Sequence, residues 1–137
     1  MKKFILAYSM AVTMSLGALE AHATPVKPIQ FAKGSVGTTL SGSFKGSDEV
    51  QYSLRAQAGQ TLDYKLTSNK NLAQINIYAP GDKPGTAEAL VIGSITGTSG
   101  QFTLPQSGNY LIQIYQMRNT ARQNKNVIYK LNVSVEN

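Results

Sequence analysis

The sequence predicts an all-β protein, an antiparallel β-sandwich of jelly-roll-like build with eight to nine strands. Three observations lead there. Nearly every segment after Thr24 alternates apolar and polar residues with period two, as half-buried strands do. Clusters of turn-forming residues recur about every 8–12 residues, the spacing of short strands in a sandwich. No stretch in the same region repeats apolar residues at helical spacing over a useful length.

Taken in order, Thr24 to Lys27 reads as a flexible tail, and Ile29 and Phe31 suggest a short first strand ended by Lys33-Gly34. The next strand runs from Val36 to Phe44, with Gly37 and Gly42 inside it marking a bulge or bend. After the turn at Lys45 to Asp48, Val50, Tyr52, Leu54 and Ala56 share one face. Leu62, Tyr64 and Leu66 do the same beyond Ala58-Gly59-Gln60. Ser68 to Asn71 is a loop, and Ala73, Ile75, Ile77 and Ala79 form the inner face of a strand stopped by Pro80-Gly81. Leu90 to Ile92 is a further strand, Gly97 to Gly100 a loop, and Gln101 to Leu104 a short strand. Pro105 to Asn109 turns the chain into Tyr110 to Tyr115, and Val127 to Val135 closes the fold.

The N-terminus has a basic start (Met1-Lys2-Lys3), an apolar run from Phe4 to Leu19 and the small-x-small site Ala21-His22-Ala23. This is the pattern of a cleaved secretory signal peptide over residues 1–23, too short to serve as a membrane span. A single domain over 24–137 follows. With no cysteine in the chain, a periplasmic destination suits it better than a disulfide-stapled extracellular one. Loss of Lys2, Lys3 and Glu20 leaves 11 basic residues against 6 acidic ones, so the mature charge is +5. That balance favours an acidic partner surface or cleft.

Cleavage also removes His22, the one histidine. A mature chain without His or Cys excludes serine–histidine and cysteine–histidine catalysis and most zinc and copper sites. Asp48 and Glu49 are adjacent in an extended segment, so they point to opposite faces and read as solvated turn acids rather than a catalytic pair. No phosphate loop, dinucleotide fingerprint or nucleic-acid stacking platform is present. Neither enzymatic activity, nor a cofactor, nor a metal, nor a nucleic-acid or membrane partner is expected.

The segment from Gln116 to Asn126 stands out. It joins two strands, is long for a hairpin connection, and carries Arg118, Arg122 and Lys125 with no acid. Ordering such a loop costs entropy that a bound partner would offset. If it contains a helical turn, Arg118 and Arg122 are i and i+4 and share one face. A planar guanidinium can bridge a carboxylate with two parallel hydrogen bonds. On residue chemistry alone a solvated loop is the commoner reading of these arginines. Ser107-Gly108 likewise reads first as a structural turn, and Tyr110 as a core residue or one whose hydroxyl bonds back to the backbone.

The elements Phe102-Thr103-Leu104-Pro105-Gln106-Ser107-Gly108-Asn109-Tyr110 and Gln116-x-Arg118-Asn119-x-Ala121-Arg122-x-Asn124-Lys125 closely resemble the periplasmic inhibitors of g-type (goose-type) lysozyme. The resemblance extends through Phe31-x-Lys33-Gly34, Ser41-Gly42-x-x-Lys45-Gly46, Tyr52 and Gly59-Gln60, and is weakest from Asn69 to Thr98. It implies a β-sandwich that inserts an arginine-bearing loop into the lysozyme's substrate cleft and so protects peptidoglycan from lysis. The lysozyme-binding residues it implies are Arg118, Asn119 and Arg122, with Ser107 and Tyr110 of the Ser-Gly-x-Tyr element. Where the family can carry an aromatic residue after Lys-Gly, this chain has Ser47. The strand pattern also resembles, more remotely, the jelly-roll modules attached to secreted bacterial peptidases. A carbohydrate-binding or peptidase-appended β-sandwich module is therefore the alternative. The lack of tryptophan weighs against a sugar-stacking face.

Overall fold

A computed structural model of the chain describes residues 24–137; the expected signal peptide lies outside the described residues. Nine strands are found there: β1 (Val26–Pro28), β2 (Gly37–Lys45), β3 (Val50–Ala56), β4 (Thr61–Ser68), β5 (Ala73–Tyr78), β6 (Val91–Ile92), β7 (Ser99–Thr103), β8 (Gly108–Gln116) and β9 (Asn126–Glu136). Two short helices, α1 (Gly93–Thr96) and α2 (Arg118–Arg122), interrupt them. The strands form a five-stranded sheet in the order β1-β3-β8-β5-β6 and a four-stranded sheet in the order β2-β9-β4-β7. All pairings are antiparallel except that of β1 with β3. Period two does what it predicts: Leu62, Tyr64 and Leu66 of β4, Ile112 and Ile114 of β8, and Leu131 and Val133 of β9 all turn into one core between the sheets.

Three expectations need correction. The first strand is Val26–Pro28, not Ile29 to Phe31, so part of the expected tail is ordered. Val-Lys-Pro has no alternation to announce it. It is held by parallel pairing with Gln51 to Ser53, a non-local contact, and ends at a proline that an edge strand tolerates. Ile29 then donates its amide to the Ser53 carbonyl at 2.8 Å and buries its side chain. Second, Gly97 to Gly100 is not all loop, because β7 begins at Ser99. Third, Gly37 and Gly42 make no bulge: β2 pairs with β9 in unbroken register from Gly37 to Lys45.

Gly42 serves the packing instead. It faces Tyr129 across the strand pair, and a Cβ there would stand 2.5 Å from the tyrosine hydroxyl oxygen and 2.9 Å from Cζ. On the other edge of the same sheet, Gly100 faces Tyr64 in the same way, 3.0 Å from the hydroxyl. Each edge strand thus leaves a gap into which a ring from its inner neighbour lies.

The Tyr129 hydroxyl is buried and shares a 2.6 Å hydrogen bond with that of Tyr52, which joins the two sheets through the core. Burial, and then the bond to Tyr52, raise the Tyr129 pKa above its ordinary value. Because the unfolded chain ionises this tyrosine near pH 10 and the folded chain does not, its contribution is complete below about pH 10 and is lost as pH rises further. Urea midpoints followed from about pH 8 to 11 are expected to fall steeply above pH 10. Tyr129→Phe should fall less steeply there, while being about 1–3 kcal/mol less stable at neutral pH because Tyr52 loses its buried partner.

Candidate functional site

Three connections cross between the sheets at one end of the sandwich. Register places them side by side: Lys45 opposite Asn126, Ser68 opposite Tyr129, and Ala73 opposite Gln116. They are the β2–β3 turn over residues 46–49, the β4–β5 turn over Asn69–Asn71, and the β8–β9 connection that contains α2. Lys45, Lys70, Arg118, Arg122 and Lys125 lie at this end, against Asp48 and Glu49. The predicted cationic loop is thus the middle of a positively charged surface.

The connection does form a helical turn. Arg118 and Arg122 start and end α2, so their side chains leave one face a turn apart, and both are exposed. Asn119 is exposed beside Arg118. At its start, Ala121 donates its amide to the Met117 carbonyl at 2.9 Å and the Thr120 hydroxyl donates to the same oxygen at 3.0 Å. At its end, Asn124 takes a left-handed conformation (φ 57°). Its amide donates to the Ala121 carbonyl and that of Lys125 to the Thr120 carbonyl, the double closure of a Schellman motif. Asparagine at the left-handed position is the sequence signal for this ending.

What fixes the helix to the sandwich is Gln116. It is the last residue of β8 and is 5% exposed, a buried polar side chain. Its Nε2 donates to the Gly46 carbonyl at 3.0 Å and to the Lys125 carbonyl at 2.8 Å, while its Oε1 is buried without a partner. The Gly46 amide also donates to the Lys125 carbonyl at 3.0 Å. One side chain therefore ties the return of the cationic loop to the neighbouring turn. Sequence reasoning places Gln116 in the loop; nothing in a lone glutamine before a polar segment says that it points inward.

Gly46 has φ 60°, and a Cβ there would stand 2.6 Å from Asn124 Oδ1. Gly46→Ala is expected to cost about 1–2 kcal/mol from the left-handed backbone alone, and to displace Asn124. Chemical denaturation against wild type checks the first effect. Amide exchange at Asn124 and Lys125 checks the second.

Between the 46–49 turn and α2 lies an open groove of about 350 Å³, lined by Asp48, Glu49, Gln113, Tyr115, Arg118 and Arg122 among others. Asp48 is exposed, as expected of a turn acid. Glu49 is half-buried and accepts hydrogen bonds from Gln113 Nε2 at 2.6 Å and Gln51 Nε2 at 3.3 Å, so it is a held carboxylate rather than a solvated one. Ser47 is exposed on the rim of this groove.

The other two predicted residues are elsewhere. Ser107 and Tyr110 lie at the start of β8 and α2 follows its end; eight residue steps from Gly108 to Gln116 are about 26 Å. Tyr110 is 0% exposed and so offers a partner no surface. Its hydroxyl donates to the Gln106 carbonyl and accepts from the Gln106 amide, the bond back to the backbone anticipated from its position. Ser107 is exposed, and its Oγ accepts the Ala58 amide at 2.9 Å, tying two turns together. A partner seated on α2 alone touches neither. Among the described residues no group of acidic or histidine side chains could hold a metal ion, and no helix is long and apolar enough to cross a membrane.

No protein-family model matches the chain. It is 30% identical over 108 residues to the inhibitor of g-type lysozyme of Escherichia coli K12, covering 79% of each protein. Among solved structures it resembles the periplasmic g-type lysozyme inhibitor of Aeromonas hydrophila, with a TM-score of 0.76 and 44% identity over 81% of this chain and 96% of that one. The corresponding inhibitor of Salmonella Typhimurium gives a TM-score of 0.65 and 29% identity, over 83% and 100%. The pre-peptidase C-terminal domain of a Bacillus anthracis collagenase shares the fold, with a TM-score of 0.61 at 17% identity.

Proposed function

Because the chain belongs to the family of periplasmic inhibitors of g-type lysozyme, we infer that its cationic end closes the substrate cleft of such an enzyme. The protein is a periplasmic inhibitor that shields peptidoglycan from lysis, and acts by binding rather than by catalysis. The observation that carries the mechanism is α2: a single helical turn that presents Arg118 and Arg122 on one exposed face, with its C-terminal end closed by hydrogen bonds.

A glycosidase cleft is built around carboxylates. Arg118 and Arg122 would reach these and bridge them in the bidentate way that guanidinium allows. Asn119 supplies a neutral amide beside them, suited to groups that otherwise hydrogen-bond the sugar. Because Gln116 and the Schellman closure hold the turn before any enzyme arrives, little ordering entropy is lost on binding. The 46–49 turn, with Ser47 and no aromatic ring, contributes less contact area than α2.

Lytic activity of g-type, c-type and invertebrate-type lysozymes on bacterial cell walls, titrated with the purified protein, tests this reading. Loss of g-type activity alone is the expected result. Equal or absent effects on all three would overturn it.

A further inference from the structure

We propose that Lys70 makes a second, separate ionic contact with the lysozyme, reaching carboxylates on the rim of the cleft from the turn beside α2. The proposal rests on the reading that the α2 end of the sandwich seats the enzyme. Lys70 and Asn71 have φ of 53° and 54°, two consecutive residues in a region that favours glycine. Such backbone is kept only where its surroundings fix it, and it gathers where proteins bind. Here the surroundings are explicit. Ser68 Oγ accepts the Ala73 amide at 2.8 Å, and the Asn69 carbonyl accepts that of Leu72 at 3.1 Å.

The Asn69 side chain then fastens the turn to the strand that leaves the α2 connection. Its Nδ2 donates to the Asn126 carbonyl at 2.9 Å and its Oδ1 accepts the Ile128 amide at 2.7 Å. Lys70, next in sequence and exposed, is therefore held in fixed relation to Arg118 and Arg122 although its loop is far from theirs in the chain. A lysine suits a rim: its ammonium is a point charge on a flexible stem, which attracts acidic surface without demanding one geometry. Its effect falls on association rate and on salt dependence more than on dissociation.

The test measures inhibition of a g-type lysozyme at low and high salt by Lys70→Gln, Lys70→Glu and Lys70→Gly, beside Arg118→Ala and Arg122→Ala. Lys70→Gln is expected to weaken inhibition about three- to tenfold at low salt, and Lys70→Glu about ten- to a hundredfold, with the differences shrinking as salt rises. Lys70→Gly separates contact from structure: glycine relieves the left-handed backbone, so the thermal midpoint should hold or rise while inhibition weakens as in Lys70→Gln. Wild-type inhibition by all three Lys70 variants, with the arginine variants impaired, would overturn the Lys70 contact and leave the α2 reading standing. Wild-type inhibition by every variant would overturn both.

Discussion

Arg118→Ala combined with Arg122→Ala is expected to abolish measurable inhibition of g-type lysozyme without disturbing the fold. Both side chains are exposed at the surface, so their removal leaves no cavity and no buried partner in the free protein. Exposed substitutions of this kind move stability by about 0.5 kcal/mol or less. In the proposed complex the same groups would be desolvated against carboxylates. Truncating one side of such a pair costs about 2–5 kcal/mol, or roughly 30- to several-thousand-fold in affinity. Each single variant should fall in that range. The double variant is expected to fall short of the product of the two, since the arginines share one face and act as a unit. Arginine-to-lysine exchanges keep the charge but lose the second hydrogen bond, and should lie between wild type and alanine. Alanine variants that inhibit like wild type would remove α2 from the interface.

Gln116→Leu is expected to weaken both the fold and the inhibition, although Gln116 touches no enzyme. Leucine fits the space roughly but leaves the Gly46 carbonyl without its 3.0 Å donor, and takes one of two donors from the Lys125 carbonyl. A buried carbonyl without a partner costs about 1–3 kcal/mol. The larger consequence falls on α2, whose return at Lys125 is then held to the neighbouring turn by the Gly46 amide alone. A loop that must be ordered on binding loses affinity even when every contact residue is intact. The expected pattern is a lower urea midpoint, faster amide exchange from Arg118 to Lys125, and inhibition weakened about tenfold or more, mirrored in the kinetics by slower association. Unchanged inhibition with a lowered midpoint would mean that the loop holds its shape without the glutamine.

Most of the sandwich is legible because antiparallel strands with one buried face must alternate, and Tyr52, Tyr64 and Tyr129 follow that alternation into the core. The helical turn at Arg118–Arg122 is not announced by the sequence; the i, i+4 spacing says only that the two arginines share a face if such a turn forms. What else escapes is whatever depends on a non-local partner. Val26–Pro28 becomes a strand only because Gln51 to Ser53 lies beside it. Gln116 and Asn69 are ordinary polar residues until the topology brings the carbonyls of Gly46, Lys125 and Asn126 to them. Gly42 reads as a kink, and only register reveals that it faces a ring. The separation of Ser107 and Tyr110 from the arginines follows from strand length alone: nine extended residues put the two ends of β8 at opposite ends of the molecule. Motif resemblance groups them; the geometry of a strand divides them.

The position of β9 has a bearing on how the protein reaches its compartment. The last strand of the chain is an inner strand of its sheet, paired on one side with β2 and on the other with β4. Until residues 126–136 are present, β2 has no neighbour, and the four-stranded layer consists of β4 and β7 alone. Closing it requires contacts across roughly ninety residues, the kind of pairing that makes β-sandwiches fold slowly. In a chain delivered N-terminus first, this layer therefore closes only after residues 126–136 arrive.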